Sequence, residues 1–399
     1  MNATLPSGFR MSGSTCGIKD SGKPDLSLFV SDTDCAAAGV YTTNRVVGAP
    51  VVVSRERTPA GSIRGVIINS GNANACTGEV GDQDARRMTA AVAEALGCQA
   101  EQILVCSTGI IGVPLPMEKI LSGIPAAATA LSASLEALAD AAAAMMTTDT
   151  FAKCQSQSLP LSTGTITVAG AGKGAAMIAP NMATMLAVVL TDAVLTPEEC
   201  DQMLRHAVDH TFNCITVDGH MSTSDTVLLL ANGASGARPA NDDDRRQLAQ
   251  AVRDVCEKLA TDIIRDAEGG AHFVTVDVKG FATREQAVRV AREVSESALV
   301  KTAITGNDPN WGRITSAAGY AGIPFDPQHL SLQINDVTVY RRGNPVGYDE
   351  AALSTQMQSG EVHLLLELDG GPASGNQSAR FWTSDLTQEY VRLNSEYTT

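Results

Sequence analysis

The stretch Met185 to Leu190, MLAVVL, is apolar at every position. An uninterrupted apolar run of this length reads as a fully buried strand, which needs cover on both faces and so calls for layered sheets and helices. The strand is entered from a loop of different character. Lys173, Gly174 and two alanines precede Met177 and Ile178, and Pro180 and Asn181 then interrupt the run, because proline restricts its neighbour and stops regular structure. Thr184 stands at the junction. A threonine there has an ordinary role as a β-branched strand opener with its hydroxyl on nearby backbone. It also has a chemical one, in which the hydroxyl attacks the carbonyl of Ala183, an ester replaces the peptide bond, and water leaves Thr184 as a new N-terminus. The small Ala183, the restricting Pro180 and the upstream glycines all permit that attack. The gain is a free α-amino group with a pKa of roughly 7.7–8.0, against about 10.4 for lysine, so that an N-terminal threonine carries its own general base beside its nucleophile.

Composition narrows the function classes. The chain has 399 residues, 44% hydrophobic and 18% charged, a globular balance with room for more than one structural unit. Aromatic residues make up only 4%, so Ala, Val, Leu and Ile must do the packing. A formal charge of -15 argues against nucleic acid, whose phosphates need a surplus of Lys and Arg. Nine scattered cysteines without a C-x-x-C pair fit a reducing cytoplasm. Met1 to Arg10 lacks a charged start followed by an apolar core, and no apolar run reaches membrane-span length, so neither a signal peptide nor a membrane anchor is expected.

Local signals outline the elements. Ile63–Ile68 reads as a buried strand ending in the polar loop Asn69-Ser70-Gly71-Asn72-Ala73-Asn74, either a turn or a rim of amides over a site. An amphipathic helix over Asp82–Leu96 stops at Gly97. The strand Ile103–Val105 leads into Cys106-Ser107-Thr108-Gly109, either a plain turn or donors for a developing oxyanion. An alanine-dense helix over 131–146 exits at Thr147-Thr148-Asp149-Thr150. The box Thr196-Pro197-Glu198-Glu199 opens a helix, on which His206 and His210 have the spacing of a zinc face but lack both the glutamate of HExxH and a third ligand. A long helix over Asp242–Arg265 begins with three aspartates, suited to the helix dipole. It runs through Asp266-Ala267-Glu268-Gly269-Gly270 into the strand Phe273–Val278. A boundary is expected near Gly280, dividing a main unit, 1–280, from a smaller C-terminal α+β unit, 281–399, in which Asp308 and Arg313 are read as an internal pair. Lys173 follows Gly170-Ala171-Gly172, but without the glycine spacing or the following Ser/Thr of a phosphate loop. Its options are a solvated charge or a cation beside Thr184 that binds a substrate carboxylate.

The segment KGAAMIAPNMATML resembles the self-cleavage segment of the ornithine acetyltransferases, the ArgJ family of arginine biosynthesis. GFRMSGSTCGIKDSGKPDLSLFVSD, NSGNANACTGE, CSTGIIG, MTTDTFAK, VKTAITGNDPNWGRI and the terminal YVRLNSEYTT are similar to family blocks and stand in family order. Two positions depart from the usual pattern: Ala175-Ala176 where a Ser-Gly pair is common, and His220-Met221 where Asp-Thr is common.

The resemblance implies an α/β (α+β) fold of layered sheets flanked by helices, of the ArgJ/DmpA-like N-terminal nucleophile kind. It implies cleavage between Ala183 and Thr184 into an α chain, 1–183, and a β chain, 184–399, which pair as an α2β2 heterotetramer. The implied reaction moves acetyl from N-acetylornithine to glutamate, with acetyl-CoA as a second donor in bifunctional members, and needs no metal or cofactor. Thr184 is then nucleophile and base, Thr108 and Gly109 the oxyanion pair, and Thr147, Lys173, Glu268, Asn394 and Thr399 the substrate contacts. The same nucleophile chemistry serves an aminopeptidase or amidase if water is the acceptor. A third reading is an uncleaved oligomeric binding protein whose small-residue loops are only turns.

Overall fold

The computed structural model describes residues 4–179 and 185–396. In chain order the strands among them are β1 (Phe9–Ser14), β2 (Leu26–Tyr41), β3 (Ala60–Asn72), β4 (Ile103–Ile110), β5 (Lys153–Leu161), β6 (Gly164–Lys173), β7 (Leu186–Thr191), β8 (Ile215–Thr216), β9 (Thr226–Ala231), β10 (Phe273–Phe281), β11 (Leu330–Ile334), β12 (Val337–Arg341), β13 (Asn344–Pro345), β14 (Glu361–Leu368) and β15 (Ser374–Ser384). They form two mixed sheets. The first runs β4-β3-β2-β9-β7-β6-β5 with β1 paired to β2, and the second β13-β12-β11-β14-β10-β15-β8.

The apolar run past Thr184 becomes β7, and every one of its six side chains is buried. Side chains alternate across a sheet. Ala187 and Val189 therefore join the cluster that includes the helices Pro197–His210 and Asp242–Arg265. Leu186, Val188 and Leu190 join the one that includes the helix Leu135–Met145. Full burial of a valine or leucine contributes roughly 1.5–3 kcal/mol each, so a polar residue at 188 would cost more than a surface strand could lose. The helix Asp242–Arg265 comes close to the sheet at Gly170, where a Cβ would meet Val255 and Leu259 at 3.0 and 3.1 Å.

Several local signals carry over directly. Thr196 and Glu199 exchange both bonds of a capping box. Asn241 caps the long helix through the Asp244 N–H. Gly97 closes its helix in the left-handed region, φ 69°. The helix expected from Leu131 begins at Leu135, because Ser134 takes the N-cap and accepts the Ala137 N–H.

Two readings change. The second sheet draws β8 and β10 from before Gly280, so it straddles the expected boundary; parallel pairing of β10 with β14 is a long-range choice that no local signal announces. Asp308 and Arg313 do not pair. Arg313 donates to the Leu299 carbonyl at 3.0 Å, and Asp308 accepts from Asn310 Nδ2 at 2.9 Å. Asn310 caps the helix Trp311–Gly319 and so turns the guanidinium toward a neighbouring helix.

Candidate active site

Register brings the site together. Lys173, the last residue of β6, pairs with Leu186, and Leu186 pairs on its other side with Thr226 of β9. Thr184 lies two residues before Leu186 in sequence. Thr184, Ala183 and Thr399 themselves lie outside the described residues. Both flanks of their junction are fixed to the segment before β9. Asp218 accepts the Met177 and Ile178 N–H groups at 2.7 and 2.9 Å, holding Met177 at a φ of 58° that non-glycine residues seldom adopt. On the far flank Asp225 Oδ1 accepts the Met185 N–H at 3.2 Å, and the Met185 carbonyl accepts the Thr226 N–H at 3.1 Å.

A cleft with about 610 Å³ of empty space opens beside these flanks, lined among others by Thr108, Gly109, Thr147, Lys173, Glu268 and Asn394. These are six of the nine residues named from the sequence, drawn from five separate parts of the chain. β4 lies parallel to β3 with Thr108 opposite Ser70 and Gly109 opposite Gly71. Gly109 has φ +133°, and an added Cβ would run into the backbone of Gly71 and Asn72. Only glycine fits at that close approach. The Thr108 hydroxyl accepts a bond from Lys173 Nζ at 3.3 Å.

Lys173 is 3% exposed and donates also to the Thr147 hydroxyl at 2.7 Å. Burial pulls its pKa down and the neighbouring Asp149 holds it up. Asp149 belongs to a buried network that aims these groups. It accepts the Gly174 N–H at 2.7 Å and the Thr147 N–H at 3.0 Å, so one carboxylate positions both the residue after Lys173 and the backbone of its hydroxyl partner. Its charge is matched by Lys153, whose ammonium, fully buried, lies 2.7 Å from Asp149 and 2.5 Å from Asp266. Burial pushes Asp149 up, but the Lys173 and Lys153 ammoniums together bring it down to about 2.

Asp266 caps the long helix and bonds the Thr150 N–H and hydroxyl. The turn that follows delivers Glu268, whose N–H donates to the Ala175 carbonyl at 2.9 Å and whose carboxylate accepts from Asn394 Nδ2 at 3.0 Å. Asn394 sits on the helix Gln388–Glu396, tied down by Thr387 to the Gly269 carbonyl and by Tyr390 Oη to Asp218 at 3.1 Å.

The chemistry on offer is a buried cation, a rim of hydroxyls and a carboxylate facing across one cleft: contacts for an α-carboxylate at one end and an amine at the other. Sequence reasoning missed part of it. Ser222, Thr223 and Ser224 line the cleft with three consecutive hydroxyls; the signal, a hydroxyl run just before Asp225 and an apolar strand, was available in DGHMSTSD. The asparagine row took the other path. Asn69, Asn72 and Asn74 are buried and spend their amides on the carbonyls of Asn72, Val113 and Gly81, bracing the loop while only Ala73 among residues 69–74 faces the cleft. His206 and His210 lie ring against ring, centroids 4.4 Å apart, with His210 Nδ1 2.8 Å from the His206 carbonyl. Among the described residues no cluster of His, Cys, Asp or Glu is arranged to hold a metal, and no helix is long and apolar enough to cross a membrane.

Comparison with known proteins gives consistent matches. The family model described as the ArgJ family matches residues 10–399. The chain is 47% identical over 398 residues to the arginine biosynthesis bifunctional protein ArgJ of Rhodopirellula baltica, covering 99% of this chain and 96% of that protein. It is 47% identical over 401 residues to the protein of the same name from Symbiobacterium thermophilum, covering 99% and 98%. Among solved structures it is similar to the arginine biosynthesis bifunctional protein from Bacillus halodurans, at 33% identity and a TM-score of 0.49, over 52% of this chain and 96% of that one.

Proposed function

The chain belongs to the ArgJ family, and from that premise we propose that it is an acyltransferase of arginine biosynthesis, a glutamate N-acetyltransferase that takes acetyl from N-acetylornithine. It cleaves itself between Ala183 and Thr184, and the two pieces, 1–183 and 184–399, assemble as an α2β2 heterotetramer in the cytoplasm. The new Thr184 amine accepts the proton of its own hydroxyl, which attacks the acetyl carbonyl. Thr108 and Gly109 stabilise the oxyanion, ornithine departs, and glutamate enters the same cleft to collect acetyl from the threonine ester, a ping-pong exchange.

The observation that carries this reading is the meeting of Thr108, Gly109, Thr147, Lys173, Glu268 and Asn394 on one cleft beside the strand that begins just after Thr184. Two amino acids sharing one site need common contacts for the groups they share. Lys173 and Thr147 suit the α-carboxylate, and Glu268 with Asn394 suits the cationic end of ornithine; Thr399 completes the set. Acetyl-CoA serves as a second donor at the same threonine.

The test is direct. Mixed with N-acetylornithine alone, the protein should gain one acetyl group on the fragment starting at Thr184, and adding glutamate should discharge it as N-acetylglutamate. Release of acetate in place of N-acetylglutamate would make the protein an amidase. A single intact chain after purification would remove the nucleophile altogether.

A further inference from the structure

A second cavity opens where the end of β2 meets the helices Ala49–Glu56 and Pro197–His210, with about 1070 Å³ of empty space. Arg45, Arg55 and Arg205 line it, and none of its twelve lining residues is an aspartate or a glutamate. In a chain with 44 acidic and 29 basic residues, guanidiniums gathered in this way form a local positive field against the net charge. Neither Arg45 nor Arg55 is ion-paired among the described residues; Arg55 donates to the Thr42 carbonyl at 3.0 Å and lies 5.5 Å from the Tyr41 ring centre. Arg205 bonds Asp201 through Nε at 2.8 Å, and its side chain stays 62% exposed. The cavity that gathers Arg284 and Arg380 differs. There Arg284 meets Asp209 at 2.6 Å and Arg380 meets Asp277 at 2.7 Å, so both guanidiniums already have a carboxylate.

The loop that carries Arg45 is braced, and it adjoins the cleft. The Thr42 hydroxyl accepts the Asn44 N–H at 3.1 Å, and the Asn44 side-chain oxygen accepts the Val46 N–H at 2.9 Å, so Arg45 sits between two turns closed by side chains. The same hydroxyl donates to the Ser222 carbonyl at 2.9 Å, and the Gly48 N–H donates to the Thr223 carbonyl at 2.8 Å. Ser222 and Thr223 line the cleft that holds Lys173. One short segment thus joins the wall of the cleft to the wall of the arginine cavity.

A single carboxylate is satisfied by one guanidinium fork, whereas guanidiniums from three elements suit a ligand with several oxyanions, and the arginine fork matches phosphate geometry. We propose that the cavity lined by Arg45, Arg55 and Arg205 binds phosphate groups, either those at the far end of an acyl-CoA donor whose acyl end enters the cleft or those of a free phosphate compound. The acyl-CoA source rests on the acyl-threonine reading above; the phosphate site does not.

The test begins with inorganic pyrophosphate, titrated calorimetrically into the full-length protein as purified. Binding should weaken with added salt and fall by roughly 10-fold or more in Arg45→Ala/Arg205→Ala, the scale of a lost charged hydrogen bond. Arg245→Ala/Arg246→Ala, a charge-matched change on the helix Asp242–Arg265, should bind as the unsubstituted protein does. Kinetics then identify the source. If acyl-CoA is the ligand, the Arg45/Arg205 variant raises KM for acetyl-CoA by a similar factor while exchange between N-acetylornithine and glutamate keeps its kcat/KM. If a free phosphate compound is the ligand, pyrophosphate binding is lost as before and KM for acetyl-CoA does not move; either result upholds the site. No pyrophosphate binding by the unsubstituted protein, equal affinity in the Arg45/Arg205 variant, or an equal loss in the Arg245/Arg246 control overturns it. An unsubstituted protein that catalyses neither reaction sinks the acyl-threonine reading, and the pyrophosphate titration still decides the site.

Discussion

At Lys173 a single ammonium is 3% exposed and still carries two hydrogen bonds, to Thr108 and Thr147. In the proposed function, the anion this buried cation receives is the substrate carboxylate. Lys173→Met should lower kcat/KM for N-acetylornithine by roughly 10- to 100-fold, the range for one charged hydrogen bond, with most of the loss in KM. Steady-state kinetics with both amino acids checks this. Asp149 yields a pH prediction. Its folded pKa is depressed to about 2, so its contribution is fully present above the unfolded value near ~3.9 and is lost as pH falls through that window toward ~2. The size is on the order of 2 kcal/mol at neutral pH. Asp149→Asn should lower the melting temperature at pH 7 and flatten its decline in acid. An unaltered acid profile would remove Asp149 from the charge balance.

Elements determine whether these residues meet. β4 brings Thr108 and Gly109, the proposed oxyanion pair, to the cleft only because Gly109 lets its backbone lie against Gly71 and Asn72 of β3. Gly109→Ala should therefore lose acetyl transfer while retaining most of the helical signal in circular dichroism, since the clash is confined to the ends of two strands. Lys153 ties the helix exit at Asp149 to the helix end at Asp266 through 2.7 and 2.5 Å contacts with no exposure at the lysine. Removing the cation leaves the buried Asp266 without its ammonium and Asp149 with Lys173 alone, so Lys153→Met should cost roughly 3–5 kcal/mol in a chemical denaturation curve. The long helix and the Thr196 box were legible from spacing alone, because caps and apolar periodicity act within one turn. The Asp308–Arg313 pair was not, because whether two side chains meet depends on which way the Asn310 cap turns the intervening helix.

For the whole molecule, the order of the first sheet matters most. β7 and β9, from the part after residue 184, are inserted between β6 and β2, from the part before it. Six paired positions join β6 to β7 and six join β2 to β9. Cleavage at 183–184 would thus leave the later piece holding the two central strands of a sheet whose other strands belong to the earlier piece. The two fragments should co-elute in size-exclusion chromatography under native conditions and separate only in denaturant; separation without denaturant would contradict the sheet order. The sequence by itself determined the apolar strand, the junction before it, the helix caps and six residues that line the cleft, since each depends on neighbours a few positions away or on blocks in a recognisable order. Tertiary structure alone decided that Ser222–Ser224 face the cleft, that the asparagines turn inward, and that the buried Asp225 accepts the Met185 N–H. Those outcomes depend on strand register and on burial, which arise from contacts between segments far apart in the chain, so that a local run of hydroxyls or amides marks a candidate without deciding which way it turns.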